Sequence, residues 1–139
     1  QFGLSPELLW RFTHQLSGGQ MARVGIARAI AVHPSLLILD EPTASLDVSV
    51  QAKVLNLLNR LRHEFGITYL FVSHDLNVVR MMCDRIIVLQ NGRIVEEGES
   101  NQIFNRPQQS YTKKLIDSIS HLDVGKELVG FRKPERNLP

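Results

Sequence analysis

Three groups of side chains in this sequence are suited to chemistry on a phosphate or a metal ion. Adjacent carboxylates, Asp40 and Glu41, follow a short apolar run, and His74 follows a second one. Residues 17–19 (Ser-Gly-Gly) precede a helical pattern, where exposed N–H groups and the helix dipole favour an anion. Adjacent carboxylates repel each other unless a cation neutralises them, as magnesium held near a phosphate would do. The residue types therefore indicate magnesium–phosphate chemistry.

Each group also has a structural explanation, which the sequence leaves open. Ser17 could simply cap a helix that starts after a glycine loop. Asp40 and Glu41 could form a solvated turn after a strand, and His74 could have a purely structural role. The choice between the functional and the structural explanation therefore depends on where the surrounding strands and helices place these residues.

The elements that must position these residues alternate between strands and helices. Strand, helix, strand and helix in this order predict an α/β fold with a parallel sheet, in which the first strand is buried on both faces. The Asn91-Gly92 pair predicts a hairpin turn. The predicted elements are a partly helical opening at 1–15, helices at 20–32, 48–65, 76–82 and 110–120, strands at 36–39 and 67–73, and a hairpin at 85–95.

Ser5 is the predicted cap of the opening turn. The spacing of apolar residues predicts one buried face on each of the first three helical segments. These faces contain Leu8, Leu9 and Phe12 in the opening, Met21, Val24, Ala27 and Ile30 in the next, and Val54, Leu55, Leu58, Leu61 and Phe65 in the third.

The predicted α/β order would bring the three groups to one edge. A helix of about 13 residues spans ~20 Å, and a returning strand of about five residues spans ~17 Å. Residues 17–19 would therefore return to the end of the strand that carries Asp40. Ligands of parallel α/β sheets bind beyond the carboxyl ends of the strands. We expect Gly18–Gln20, Asp40, Glu41 and His74 to line a single edge of the sheet.

Four motifs in this order resemble those of the ATP-binding cassette (ABC) ATPases. Residues 16–20 (LSGGQ) resemble the signature motif, and residues 36–41 (LLILDE) resemble the Walker B motif with its catalytic glutamate. Residues 45–47 resemble the D-loop, and residues 73–75 resemble the segment that carries the switch histidine. The resemblance implies a parallel-sheet core of the P-loop NTPase type, with ATP and Mg²⁺ as cofactors.

The resemblance also implies a role for each site residue. Asp40 would hold the magnesium ion, Glu41 would orient the attacking water, and His74 would contact the γ-phosphate. Asp47 would lie at the interface between two cassettes joined head to tail. The γ-phosphate of ATP bound by the partner subunit would be held by Ser17, Gly18, Gly19 and Gln20.

Two further segments, residues 45–52 and 106–112, are most similar to the ATPase subunits of oligopeptide, dipeptide and nickel importers. This similarity implies a peripheral subunit on the cytoplasmic face of the cell membrane that couples ATP hydrolysis to transport of peptides or nickel. Its implied partners are a second ABC ATPase subunit, either a second copy or a different subunit, membrane permease subunits and, indirectly, a substrate-binding protein. The net charge of +2 is too small to indicate a nucleic-acid partner.

The family's phosphate-binding loop, Gly-x-x-x-x-Gly-Lys-Ser/Thr, does not occur in this sequence. We therefore interpret the chain as the carboxyl-terminal part of a longer ATPase, whose core lacks the amino-terminal Walker A part. We expect residues 1–139 alone to hydrolyse no ATP. The alternatives are a non-transport ATPase of the same superfamily and a truncated, inactive fragment or interaction module.

Length and composition agree with one globular domain. The chain has 139 residues, of which 43% are hydrophobic and 22% charged. The single Cys83 cannot form an internal disulfide, and the apolar runs are far shorter than the ~20 residues of a membrane span. We predict the end of a helical subdomain at 1–15, the ATPase core at 16–98, a helical extension at 99–121 and a poorly ordered tail at 122–139.

Overall fold

The computed structural model describes residues 2–120, which form two compact units divided between Val72 and Ser73. The predicted tail at 122–139 lies outside the described residues. After two short 3₁₀ turns, the elements are α1 (Gly18–Ile30), β1 (Leu36–Asp40), α2 (Val48–Phe65), β2 (Thr68–Val72), α3 (Leu76–Met82), β3 (Arg85–Gln90), β4 (Arg93–Glu99), α4 (Ser100–Asn105) and α5 (Ser110–Ser120).

The first unit contains the predicted parallel sheet. Strands β1 and β2 pair in parallel from Leu36 with Thr68 to Asp40 with Val72. Helix α2 provides the crossover between them, as a parallel connection requires. The α/β class and the parallel sheet predicted from the sequence are confirmed.

The prediction that β1 is buried on both faces is wrong. Leu37 and Leu39 are buried, whereas Leu36 and Ile38 are 51% and 62% exposed. Successive residues of a strand point to opposite faces, and the described residues cover only one face of this short sheet. Leu70 of β2, which pairs with Ile38, is also exposed. Apolar side chains of both strands therefore face solvent on the other side of the sheet.

Helix α2 has the predicted bounds because both of its ends are specified locally. The carboxylate of Asp47 caps its first turn, and Gly66 ends it with the left-handed φ of 64°. Four predicted core residues of α2 are buried. They are Val54, Leu55, Leu58 and Leu61. Full burial of an aliphatic side chain stabilises the folded state by ~1.5–3 kcal/mol. Phe65, the fifth predicted member of this face, is exposed.

Helix α1 turns a different face inward from the one predicted. The spacing of Met21, Val24, Ala27 and Ile30 predicted a buried stripe, but Met21 and Val24 are exposed. The buried residues are Gly19, Ile26 and Ile30. Both sets have helical spacing, so packing against the start of α2 decided between them.

The opening segment is less regular than a helix. Ser5 caps the turn Pro6–Trp10 by accepting a 3.4 Å hydrogen bond from the N–H of Glu7, so the predicted start is confirmed. The turn is 3₁₀, and a second 3₁₀ turn covers Thr13–Gln15. The predicted burial of Leu9 and Phe12 is wrong, since both are exposed.

The second unit contains the predicted hairpin. Strands β3 and β4 pair antiparallel, and both Asn91 and Gly92 of the turn have positive φ. Its core consists of Val79, Ile86, Val88 and Ile103. Ile103 belongs to α4, a six-residue helix inside the predicted extension at 99–121 that was not predicted as a separate element. Its burial against the hairpin compensates for its weak local signals.

Candidate functional site

The start of α1 is a reciprocal cap built by Ser17 and Gln20. The hydroxyl of Ser17 accepts a 3.2 Å hydrogen bond from the N–H of Gln20, and the N–H of Ser17 donates to Oε1 of Gln20 at 2.9 Å. This is the pattern that satisfies orphan donors at a helix start. Both side chains thus have a structural role in this chain.

The two glycines of this cap face the start of α2. A Cβ atom at Gly18 would lie 3.2 Å from Cδ2 of Leu46, and a Cβ atom at Gly19 would overlap Cγ1 of Val50. The first unit therefore brings residues 17–20 beside residues 46–50. Val50 had not been predicted to contribute to the site, because no local pattern indicates a contact across 31 positions of the chain.

Arg23 ties the same turn to the beginning of the chain. Its Nε donates to the carbonyl of Gly19 at 3.0 Å, and its Nη1 donates to the carbonyl of Gly3 at 3.0 Å. The i to i+4 spacing from Gly19 could have indicated the first bond, whereas the second depends on tertiary structure. The guanidinium thus links the backbone at Gly19 to the backbone at Gly3.

Asp40 and Glu41 mark the carboxyl end of β1, as predicted. Asp40 is exposed and Glu41 is partly buried. The N–H of Glu41 donates to the carbonyl of Val72 at 3.0 Å, so pairing with β2 extends one residue past the strand. Glu41 has a φ of 47°, a conformation that costs a residue other than glycine ~1–2 kcal/mol. The chain therefore leaves the extended conformation between the two carboxylates.

A tight turn joins these carboxylates to Asp47. The N–H of Ala44 donates to the carbonyl of Glu41 at 3.3 Å, and the N–H of Leu46 donates to that of Thr43 at 3.1 Å. Inside the unit, Nε2 of Gln51 donates to the buried hydroxyl of Thr43 at 3.3 Å. Thr43 and Gln51 were absent from the predicted site, and their bond attaches the turn to α2.

Asp47 is held by the helix that it caps. Its Oδ1 accepts from the N–H groups of Val50 and Ser49 at 3.0 and 3.1 Å, and from the Ser49 hydroxyl at 2.8 Å. The Val50 bond, followed by the Ser49 hydroxyl bond, lowers the pKa of Asp47 below its ordinary value of 3.8. The side chain is therefore an exposed, ionised carboxylate of fixed orientation.

His74 belongs to the second unit, where it lies exposed between Ser73 and the helix cap Asp75. The N–H of Asp75 donates to Oγ of Ser73 at 3.1 Å. Asp75 in turn accepts from Asn77 and Val78 at 3.0 and 3.3 Å and caps α3. His74 and the other three groups belong to different units, so the single edge expected to unite Gly18–Gln20, Asp40, Glu41 and His74 stays a prediction.

Two family matches together cover most of the chain. Residues 2–44 match the ABC transporter family, and residues 95–139 match the carboxyl-terminal region of oligopeptide/dipeptide transporters. The chain belongs to the ABC transporter family. The resemblance seen in its motifs is confirmed.

Curated relatives of this ABC family member agree with the second match. It is 51% identical over 122 residues to the oligopeptide transport ATP-binding protein OppF of Lactococcus lactis, covering 88% of this chain and 38% of the relative. It is 46% identical over 141 residues to OppF of Streptococcus pyogenes, covering 99% and 46%. The chain thus spans about two fifths of the length of the curated relatives it matches.

Solved ATP-binding cassettes share its fold. The dimeric post-hydrolysis state of the cassette MJ0796, bound to ADP and Pi, has a TM-score of 0.62 at 39% identity, over 71% of this chain and 42% of that one. The ADP conformation of MJ1267 has a TM-score of 0.65 at 32% identity, over 76% and 41%. The predicted ABC ATPase fold class is confirmed.

Residues 2–120 contain neither a cluster of potential metal ligands nor a helix suited to crossing a membrane. No three or more His, Cys, Asp or Glu side chains in that range form a group suited to a metal ion. No helix in the same range combines the length and apolarity needed to cross a membrane.

Proposed function

We propose that this chain is the carboxyl-terminal portion of the ATP-binding and ATP-hydrolysing subunit of an ABC importer for oligopeptides. The observation that carries the proposal is the position of Asp40 and Glu41, which follow a strand of a parallel sheet in a member of the ABC transporter family. Relatives named for oligopeptide transport support the substrate class. Peptides are favoured over nickel, because the second match covers the region typical of peptide transporters.

In this proposal, the two strand-end carboxylates have separate roles. Magnesium usually keeps several waters and binds through one or two carboxylates plus substrate phosphates. The single exposed carboxylate of Asp40 fits that donor set, and no larger protein cluster is needed. The ion would neutralise charge on the phosphates of ATP. Glu41 orients the attacking water, because phosphoryl transfer depends mainly on positioning and electrostatics.

The remaining site residues act at the boundary with a second subunit. Ser17, Gly18, Gly19 and Gln20 cradle the γ-phosphate of ATP held by the partner, and the helix dipole of α1 favours that anion. Asp47 lies at the interface, beside the same end of α1. His74 contacts the γ-phosphate of ATP. The assembly includes two ATPase subunits and permease subunits at the cytoplasmic face of the membrane, with a substrate-binding protein outside.

The test is the substitution Glu41→Gln in the full-length subunit. Loss of a residue that acts on the attacking water lowers turnover by about 10²–10⁴-fold, while ATP binding persists and closed dimers accumulate. Steady-state phosphate release and size-exclusion chromatography with ATP measure the two effects. Glu64→Gln, at the other end of α2, is the matched control. Turnover of Glu41→Gln at the parental rate would refute the role of Glu41.

The isolated 139-residue chain provides a second test. We expect its phosphate release to equal that of its own Glu41→Gln variant, because the sequence holds no phosphate-binding loop. Turnover well above that variant would contradict the requirement for the longer protein.

The substrate class needs the reconstituted transporter. Oligopeptides, added with the substrate-binding protein, should stimulate ATP hydrolysis, and nickel ions should not. Stimulation by nickel alone would assign the subunit to the other importer class.

A further inference from the structure

Gly19 has no backbone reason to be glycine. It lies in the first turn of α1, and its φ is not among the positive values found at Gly3, Gly66 and Gly92. Any L-residue could adopt its helical conformation. The requirement for glycine must come from what surrounds it.

What surrounds it is Val50. Gly19 is buried, and an added Cβ would overlap Cγ1 of Val50, with Cβ and Cγ2 of Val50 at 3.7 and 3.9 Å. Val50 cannot easily retreat, since its N–H is bonded to Oδ1 of Asp47 at 3.0 Å within the first turn of α2. A β-branched side chain in a helix also has one strongly preferred rotamer.

Two other glycines of α1 show that this contact is specific. At Gly18, the nearest atom to an added Cβ is the flexible end of Leu46, at 3.2 Å. At Gly25, an added Cβ would meet nothing within 4 Å. Among these three glycines of α1, only Gly19 has a neighbour that an added Cβ atom would overlap.

We propose that Val50 is a positioning residue, which requires glycine at position 19 and thereby holds the phosphate-facing start of α1 against the Asp47 segment. This inference rests on the proposed function, because it assigns the contact a role in closing the nucleotide-bound dimer. The other explanation is that Gly19 is glycine so that a phosphate can approach its backbone. The two explanations predict opposite results when both residues are changed.

The experiment uses the full-length subunit carrying Glu41→Gln, so that ATP traps dimers without turnover. The measured quantity is the ATP concentration that gives half-maximal dimer by analytical ultracentrifugation. Gly19→Ala should raise it by at least about tenfold, since small misplacements at such sites are costly. Adding Val50→Ala should bring it back to within about threefold of the parent, because the overlapping methyl group is gone. Gly25→Ala, the matched control, should stay within about twofold.

Thermal unfolding of the same proteins separates positioning from folding. If Gly19→Ala lowers only the unfolding midpoint and leaves the half-maximal ATP concentration unchanged, the positioning role is overturned. A folded Gly19→Ala/Val50→Ala protein that stays as defective as Gly19→Ala overturns it as well, and assigns the glycine to the phosphate.

Val50→Ala alone covers the case in which Gly19→Ala does not fold. It creates no overlap, and it should raise the half-maximal ATP concentration by about threefold or more, because α1 loses its contact. An unchanged value would contradict the proposal. If the Glu41→Gln parent itself forms no ATP-dependent dimer, the proposed function fails, which is a different outcome from failure of the rescue.

Discussion

The side-chain amide of Gln51 donates a 3.3 Å hydrogen bond to the hydroxyl of Thr43, and both side chains are buried. The bond joins the second turn of α2 to the turn that separates Glu41 from Asp47. It therefore connects the helix that forms the core of the first unit to the segment that carries its carboxylates.

Removing either partner of this bond should destabilise the first unit. Gln51→Leu leaves the Thr43 hydroxyl buried without its donor, at a cost of ~1–3 kcal/mol in the free energy of unfolding. Urea titration followed by circular dichroism measures the change, and the exposed Lys53→Met is the control on the same helix. Adding Thr43→Val should cost less than the sum of the single effects. Strict additivity would show that the bond contributes nothing.

The cap on α2 should depend on the oxygen of Asp47 and, where the carboxylate is ionised, on its negative charge. Asp47→Ala should lower the thermal midpoint more than Asp47→Asn, which keeps an acceptor for the N–H groups of Val50 and Ser49. Because the folded-state pKa lies below 3.8, the stabilisation from the charge is complete above pH 3.8 and is lost as the pH falls through the folded value.

The Asp47 prediction is checked by thermal scans between pH 2 and 7. The difference between the parent and Asp47→Asn should shrink at the acid end of that range. Asp117→Asn, an exposed carboxylate on α5, should leave the midpoint at neutral pH unchanged. A larger loss in Asp47→Asn than in Asp47→Ala would show that the hydrogen-bonded cap is not the source of the effect.

Glu96 fastens the start of α5 to the hairpin. Its buried carboxylate accepts from the N–H groups of Gln108 and Gln109 at 2.8 and 3.1 Å. Glu96→Ala should therefore reduce the free energy of unfolding by ~1.5–3 kcal/mol, the range for hydrogen bonds to a charged group. Urea titration measures it. Glu97→Ala is the control, since Glu97 is exposed and its pairing with Arg85 at 3.9 Å is worth ~0–1 kcal/mol.

The same carboxylate should make the second unit sensitive to acid. Burial alone would raise the pKa of Glu96, but the bonds from Gln108 and Gln109 and the charge of Lys113 outweigh it and lower the pKa below 4.5. The stabilisation is complete above pH 4.5 and is lost as the pH falls through the folded value. Hydrogen exchange of α5 between pH 3 and 6 should show this loss in the parent and less of it in Glu96→Gln.

The carboxyl end of α2 should tolerate little besides glycine. Gly66 has a φ of 64°, so Gly66→Ala should cost ~1–2 kcal/mol in the free energy of unfolding even though an added Cβ meets no atom within 4 Å. Gly25→Ala, in a helical conformation with equal space, should instead stabilise α1 by ~0.5–1 kcal/mol. Equal effects of the two substitutions would show that backbone conformation is not the cause.

Much of the chain could be predicted because its boundaries are local. Helix α2 has its predicted bounds, since Asp47 and Gly66 act within one turn of each end. The hairpin turns where Asn91 and Gly92 supply positive φ. The ABC motifs were also readable, because each is a short run of contiguous residues.

What was missed depends on neighbours far along the chain. The inward face of α1 contains Gly19 rather than Met21, because the start of α2 packs there. The exposed face of β1 follows from which side of the sheet is covered, and α4 exists because the hairpin buries Ile103. Helical spacing alone cannot distinguish two faces that both satisfy it.

The sequence by itself determined the order of strands and helices, their caps and the candidates for the proposed phosphate site, since each depends on backbone preferences or side chains within a few positions. Only the tertiary structure decided that Gly19 meets Val50 and that Thr43 meets Gln51. Contacts of that kind depend on packing between elements distant in the chain, where shape and volume, rather than residue spacing, select the neighbour.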